Sequence, residues 1–300
     1  MILNQKNKNF IFRFAYIVLL ILGFLYSVNF YTYIYDGYHH GLIYSYSKDL
    51  TNGQMPYKNI WLTYGIIQPI INSFFLFFYD NLITLQIVTI SFYYLGIFFL
   101  YKIGIKFFGN NYSLVTVIII ILNHPVPHNI WPNYYAFFFI TLSFYILTLK
   151  KNNYKFLFSG IALGITSLIR TEFIYVLTIY ISILFFLKFF KRDIKYNFGH
   201  YIFGLLIPFF FFIFFLISNN LLDIWFDYFN IYKYFITKYE TTKLILIYNF
   251  IKFYSYQSFF NIINEPQYII ISIILILNFF FLVTLLNRNF FFFLKLHYLL

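Results

Sequence analysis

The sequence predicts an all-helical membrane protein, a polytopic bundle of transmembrane helices with its polar segments at the two membrane surfaces. The chain is 62% hydrophobic and only 10% charged, whereas soluble domains carry about 25% charged residues. Apolar runs recur along it, many close to the roughly 20 residues that a spanning helix needs. These runs do not alternate with polar residues as barrel strands do. Helices follow, because a backbone exposed to lipid must satisfy its own hydrogen bonds.

The apolar runs predict about eight spans in a single transmembrane domain, residues 1–300. The predicted spans cover residues 10–34, 82–101, 112–122, 133–149, 156–169, 173–187, 201–217 and 268–286. Residues 66–79 are apolar but short for a span, and we expect them to form an interfacial helix on the outer surface. If residues 66–79 crossed the membrane, Lys102 and Lys106 would lie outside, against the usual charge pattern.

Basic residues concentrate on one side of this predicted topology. Asp193 is the only acidic residue on that predicted side. The basic residues there are Lys6, Lys8, Arg13, Lys102, Lys106, Lys150, Lys151, Lys155, Lys188, Lys191, Arg192, Lys195, Arg288 and Lys295. Because cytoplasmic loops are enriched in Lys and Arg, the pattern predicts a multi-pass plasma (inner) membrane protein with a cytoplasmic N-terminus. The net charge of +12 lies in short clusters between apolar runs, so it does not indicate a nucleic-acid partner.

Two polar stretches are predicted on the outer side. Residues 35–65 form the first outer loop, and residues 218–267 form a long outer segment that is partly amphipathic. We expect amphipathic helices to lie along the membrane surface in this outer region. The chain contains no cysteine, which excludes disulfides and cysteine metal sites.

Asp36 lies where the first predicted span leaves the membrane. A carboxylate in a partly dry site can act as a general base toward a hydroxyl. Asp is also a favoured N-cap, so the alternative interpretation is that Asp36 caps a helix that starts at Gly37. The residues alone leave both interpretations open.

Arg170 and Lys58 are the cations that could bind an anionic group on the outer side. The planar guanidinium of Arg170 suits phosphate oxygens, and Pro56 restricts the backbone just before Lys58. Arg170 could equally pair with Glu172 or extend its side chain to the membrane surface.

Four histidines are predicted on the outer side, namely His39, His40, His124 and His128. The adjacent pair points to different faces of a helix and makes a poor joint metal site. The sequence assigns no metal ligands, although the four could assemble a divalent-metal site in space. Interfacial or hydrogen-bonded histidines are the commoner alternative.

Several motifs together resemble a known family. The run DGYHHG from Asp36, the run NGQMPYKN from Asn52, and the pair Tyr64-Gly65 resemble the first outer loop of membrane glycosyltransferases of the GT-C fold. Within that fold, the motifs resemble those of bacterial relatives of dolichyl-phosphate-mannose protein mannosyltransferases, the family 39-like proteins. GIALGITSLIRTE (residues 160–172) resembles their GLxxGLxxLxR segment, and HPVPHNIWPNYYAFF (residues 124–138) resembles their second outer loop.

The resemblance implies an inverting enzyme that passes a sugar from a polyprenyl-phosphate donor to a hydroxyl acceptor on a glycan, lipid or protein. It makes Asp36 the catalytic base, and it places Arg170 and Lys58 at the donor phosphate. The residues that it makes candidates for substrate binding are His39, His40, Tyr57, Tyr64, Glu172 and His128. One position departs from the family pattern, because Asn59 stands where PYxD has an acid.

Two other function classes compete with this interpretation. A lipid-linked sugar flippase or transporter would place ionisable residues near the membrane midplane, whereas the predicted spans are almost free of them. A non-catalytic or truncated membrane subunit is favoured by Asn59 and by the short chain. We find no Gly-rich nucleotide-binding loop, so the sequence does not indicate use of a cytosolic nucleotide.

Overall fold

The computed structural model describes residues 5–31, 37–62, 64–123, 130–149, 154–170 and 198–227, and in these ranges the chain is helical and contains no strand. The helices there are α1 (Gln5–Tyr31), α2 (Gly37–Thr51), α3 (Ile67–Phe78), α4 (Leu82–Phe108), α5 (Asn110–Asn123), α6 (Pro132–Leu147), α7 (Tyr154–Ile169) and α8 (Phe198–Ser218). Residues 222–227 are also helical. The prediction of an all-helical fold is confirmed.

The chain forms two compact units, Met1–Leu221 and Leu222–Leu300. The first contains α1 to α8, and of the second the structure describes residues 222–227. The predicted outer segment 218–267 lies mostly outside the described residues. The predicted spans 173–187 and 268–286 lie wholly outside them.

Two of the described helices are long and apolar enough to cross a membrane, judged by length and composition. They are Leu82–Phe108 and Gly199–Ser218. The side chain of Asn81 caps the start of α4 by accepting a hydrogen bond from the backbone of Ile83 at 3.0 Å. Gly109, with φ +84°, ends it. Of the shorter apolar helices in the described residues, Phe14–Asn29, Asn110–Ile121 and Tyr154–Ile169 correspond to other predicted spans. Ile67–Phe78 corresponds to the predicted interfacial helix, and the total of eight spans remains a prediction.

Helices α1 and α4 pack side by side in opposite directions. In the first half of α1, Tyr16 stacks on Tyr101 with ring centroids 3.6 Å apart. Further along α1, the hydroxyl of Ser27 lies 3.0 Å from that of Tyr94. The residue number therefore rises along one helix as it falls along the other.

Helices α4 and α6 run in the same direction. Thr89 lies 3.1 Å from the hydroxyl of Tyr135 near their N-termini, and the rings of Phe99 and Tyr145 lie 5.1 Å apart further down. Helix α7 then returns against α6, with the hydroxyls of Ser143 and Ser159 2.8 Å apart.

Helices α7 and α8 also run in the same direction and approach very closely. A Cβ on Gly160 would meet the carbonyl oxygen of Tyr201, and one on Gly164 would lie 2.5 Å from that of Leu205. Gly204 faces the backbone of α7 in the same way. This is the close packing that Gly-x-x-x-Gly stripes permit between membrane helices. Ile169 and the start of α8 consequently lie at opposite ends of the pair.

These directions give the bundle two different ends. At one end, which we call the basic end, Lys106 donates to the carbonyl of Thr148 and Lys155 donates to that of Leu147 at 3.3 Å. Lys102 lies at the same end, 5.2 Å from the ring of Phe98. At the other end, which we call the site end, α1, α7 and α8 finish and α4 and α6 begin. The separation matches the charge pattern of the sequence.

Helices α2 and α3 cover the site end. Helix α2 forms half of the predicted outer loop 35–65, and it buries residues at helical spacing, including His40, Ile43 and Ser47. Helix α3 lies within one residue of the predicted interfacial helix 66–79 at each end. Leu76 of α3 packs with Ile43, Leu85 and Ile130 in one apolar cluster.

Candidate functional site

Most of the candidate residues from the sequence lie at the site end. Asp36, His128 and Glu172 lie outside the described residues. The others come from three stretches of chain: α2, the loop between α2 and α3, and the end of α7. The site is therefore built between the covering segment and the bundle.

Arg170 is the best-organised cation in this region. It directly follows α7, and its backbone N–H donates to the carbonyl of Thr166 at 3.1 Å. Its guanidinium lies over the ring of Tyr64, with the central carbon 5.6 Å from the ring centroid. One guanidinium nitrogen donates to the side-chain oxygen of Asn133, near the start of α6. Three separate segments thus fix the position of one half-buried charge.

Gly65 brings Tyr64 to Arg170. Its backbone N–H donates to the carbonyl of Ile169 at 3.0 Å. A Cβ at Gly65 would overlap the carbonyl of Leu168 and would lie 2.8 Å from the carbonyl carbon of Ile169. The Tyr-Gly pair in the sequence therefore has a physical reason: only a residue without a side chain allows this backbone contact.

The two adjacent histidines have different environments. The half-buried ring of His39 lies 5.3 Å from that of Trp131, which precedes α6. His40, the next residue of α2, is fully buried. The described residues contain no group of three His, Cys, Asp or Glu side chains placed to hold a metal ion.

Lys58 sits at the tip of a tight turn. Asn59 closes this turn, because its backbone N–H donates to the carbonyl of Met55 at 2.9 Å and its side chain accepts from the Met55 N–H at 3.2 Å. Tyr57 has a φ of +66°, a left-handed conformation that is uncommon for a residue with a side chain. Its ring packs 6.1 Å from that of Phe212 on α8. Asn59, where the family pattern has an acid, here has a structural role.

Arg170 and Tyr64 are in direct contact, whereas the described part of the chain shows no such contact between Arg170 and Lys58. Lys58 is exposed at the turn, and Arg170 is half-buried among aromatic and amide groups. The predicted phosphate-binding pair therefore consists of one ordered cation and one that projects from the surface.

A buried polar cluster, whose members are not among the candidate residues predicted from the sequence, lies beside this site. The hydroxyl of Tyr135 donates to the side-chain oxygen of Asn72 at 2.6 Å and lies 3.1 Å from the Thr89 hydroxyl. Gln68 donates to the carbonyl of Ile130 at 2.8 Å. The signal in the sequence was Gln68 and Asn72, four residues apart and on one face of an otherwise apolar helix.

The amide nitrogen of Asn72 is buried and has no hydrogen-bond partner among the described residues. A buried donor left in this state costs about 1–3 kcal/mol. The cluster links α3 to α4 and α6 through polar groups, which constrains how α3 is placed over the site end.

Asp80, between α3 and α4, is an acid at the same end of the bundle. Its two carboxylate oxygens accept hydrogen bonds from Lys48 at 2.8 Å and from Tyr44 at 2.6 Å. The hydrogen bond from Lys48, followed by that from Tyr44, lowers the pKa of the Asp80 carboxyl below its ordinary value of 3.8. A carboxylate stabilised in this way is a weak base. Asp80 is therefore less suited to take a proton from a substrate than to hold α2 against the α3–α4 turn.

The assembled geometry suits the binding of an anion. An Arg side chain held by an amide and an aromatic face keeps its planar set of donors pre-oriented, and such donors recognise phosphate oxygens strongly. No protein family, curated protein or solved structure matched the chain.

Proposed function

We propose that the chain is an integral membrane glycosyltransferase of the GT-C kind. It moves a sugar from a polyprenyl-phosphate donor to a hydroxyl acceptor of a glycan, lipid or protein on the outer face of the membrane, with inversion. The observation that supports this best is the clustering of Tyr64, Asn133 and Arg170 at one end of an apolar bundle. These residues belong to the three segments that carry the resemblance.

In the proposed reaction, Asp36 takes the proton of the acceptor hydroxyl. The acceptor oxygen attacks the anomeric carbon of the sugar, and the bond between that carbon and the phosphate oxygen breaks. The phosphate leaves with the bonding electrons and gains negative charge. Arg170 stabilises this charge in the transition state, and Lys58 is proposed as a second donor.

The proposed orientation places the basic end of the bundle in the cytoplasm and the site end at the outer surface. Lys102, Lys106 and Lys155 at the basic end follow the distribution that insertion favours. The lipid chain of the donor would stay in the membrane, while its phosphate reaches the site end beside Arg170.

The test is transfer of radiolabelled sugar from a polyprenyl-phosphate donor by the purified protein. We expect Asp36→Asn to abolish transfer while membrane insertion persists. Arg170→Ala should lower the rate by about 10²-fold or more, because one pre-oriented donor to the leaving group is lost, and Arg170→Lys should recover part of it.

Asp49→Asn is the matched control for Asp36→Asn. Asp49 lies near the end of α2, and its carboxylate accepts a hydrogen bond from the hydroxyl of Ser45 at 3.4 Å. We expect the Asp49→Asn variant to keep full activity. An Asp36→Asn protein as active as the wild type would remove the catalytic assignment. Movement of the lipid-linked sugar across the bilayer without transfer would instead indicate a flippase.

A further inference from the structure

Helix α3 has polar side chains on its buried face and large apolar side chains on its exposed face. Its buried face carries Gln68 and Asn72, which are 1% and 0% exposed. Its exposed face carries Phe74, Phe77 and Phe78, which are 60%, 76% and 69% exposed. A helix on a water-facing surface has the opposite polarity, with apolar side chains inward and polar ones outward.

The polar groups on the inner face of α3 are engaged by the bundle. Gln68 donates to the carbonyl of Ile130, and the oxygen of Asn72 accepts from Tyr135. These bonds fix the rotation of α3 about its axis, so the phenylalanines cannot turn inward without breaking them. The outward phenyl rings also pack on one another, with Phe74 and Phe78 centroids 5.2 Å apart.

The exposed phenyl face continues along the chain onto α4, a helix that is long and apolar enough to cross a membrane. The first outward side chains there, Ile83 and Ile87, are also exposed. No charged residue occurs from Ile67 to Tyr79. The first charge after this stretch is Asp80, which pairs with Lys48.

We propose that the phenylalanine face of α3 (Phe74, Phe77 and Phe78) is embedded in the acyl-chain region of the outer leaflet. The buried amides then lock the helix to the bundle, and α3 sets the depth of the site relative to the membrane surface. The partner is lipid because α3 leads directly into α4, a helix long and apolar enough to cross a membrane, whose Ile83 and Ile87 are exposed as well. This inference needs only the membrane placement of the proposed function, and it does not depend on sugar transfer.

The absence of native cysteine allows a direct test with single-cysteine, spin-labelled variants of the full chain in liposomes. We expect labels at Phe74→Cys, Phe77→Cys and Phe78→Cys to collide readily with oxygen and rarely with a water-soluble nickel chelate. The expected depth is about 5–10 Å below the headgroup boundary, as for interfacial helices. Ser45→Cys, on the exposed face of α2, is the aqueous control and should show the reverse preference.

Phe210→Cys on α8 is the lipid control, since that residue is exposed on the other membrane-capable helix. Nickel access at Phe77→Cys would overturn the proposal by showing that the face is in water. Low access to both reagents would overturn it by showing that protein, such as a second copy of the chain, covers the face. Nickel access at Phe210→Cys as well would contradict the proposal that the chain is embedded in the membrane.

A second measurement uses the unmodified chain, which avoids any loss of folding in the variants. Liposomes that contain a phospholipid with a photoactivatable acyl chain should label the peptide that spans residues 74–79 and spare the α2 peptide 42–50. Labelling of the α2 peptide alone would contradict the proposal.

Discussion

At the residue scale, Gly65 shows how one missing side chain organises the site. Its N–H bonds to the carbonyl of Ile169, one residue before Arg170, and this contact places the Tyr64 ring against the guanidinium. Any side chain at this position would meet backbone atoms of α7, which cannot move aside as a flexible side chain can.

We therefore expect Gly65→Ala to destabilise the protein by about 1–3 kcal/mol, as overpacking usually does. Gly41→Ala is the control, because a Cβ there meets nothing within 4 Å. In the middle of α2 that substitution should be neutral or should stabilise by about 0.5–1 kcal/mol. Thermal unfolding of both variants in detergent measures the difference, and equal shifts would contradict the tight contact at Gly65.

The pH dependence of stability should reveal the bonds that Asp80 accepts. Because the pKa of Asp80 is lowered in the folded state, its contribution is fully present above the ordinary, unfolded pKa of 3.8. The contribution is lost as the pH falls through the lower folded pKa. We expect the Tm of the wild type to fall more steeply below pH 4 than the Tm of Asp80→Asn.

A melting series between pH 6 and pH 2.5 checks this expectation. Asp49→Asn should keep the wild-type slope, since Asp49 is not bonded to Lys48. Parallel curves for the wild type and Asp80→Asn would show that the ion pair with Lys48 does not contribute to stability.

The residues that meet at Arg170 could be predicted only in part from the sequence. Tyr64 and Arg170 were found because each belongs to a recognisable local motif. Asn133 was not found, because an Asn near a helix start is ordinary and its contact depends on how α6 and α7 pair. The cluster around Tyr135 was missed for the same reason, since Asn72 and Thr89 lie 63 and 46 positions from Tyr135 and reach its hydroxyl only after α3 and α4 pack against α6.

At the element scale, helix boundaries followed the apolar pattern wherever the pattern was strong. Helix α4 begins at the predicted residue, Leu82, and α3 lies within one residue of its predicted bounds. Helix α2 lies within the predicted outer loop 35–65 and begins at Gly37, which is the helix start that the capping interpretation of Asp36 requires. Its position over the bundle depends on tertiary contacts of buried His40 and Ile43, which the local sequence does not display.

The parallel pair α7–α8 offers a prediction at this scale. Gly204→Ala should destabilise the protein by about 1–3 kcal/mol, because the new methyl group would meet the backbone of α7. Gly199→Ala, in the first turn of the same helix, meets nothing within 4 Å and should have little effect. Thermal unfolding in detergent compares the two, and a neutral Gly204→Ala would show that the helices can separate without cost.

At the scale of the whole molecule, the charge pattern and the helix directions lead to the same separation of ends. The lysines at the basic end and the candidate residues at the site end were assigned to opposite sides from the sequence. In the structure they lie at opposite ends of α4, α6 and α7. Composition and charge spacing were sufficient for this, because both report on long stretches of chain rather than on single contacts.

Orientation in the membrane can be tested with two single-cysteine variants of the otherwise cysteine-free chain. Ser45→Cys should react with a membrane-impermeant thiol reagent in intact cells, because α2 covers the site end. Lys102→Cys, at the basic end, should react only after the cells are permeabilised. Labelling of both variants in intact cells would contradict the proposed topology.

The parallel pairing of α7 and α8 affects the order in which contacts form while the chain is being synthesised. Helices α6 and α7 are neighbours in sequence and can pair as soon as α7 has left the ribosome. Helix α7 cannot contact α8 until residues 171–197 and α8 itself have been synthesised. The contact of Tyr57 with Phe212 of α8 cannot form earlier either. During synthesis the glycine stripe of α7 therefore stays uncovered, and the turn that carries Lys58 is among the last parts of the site end to find its partner.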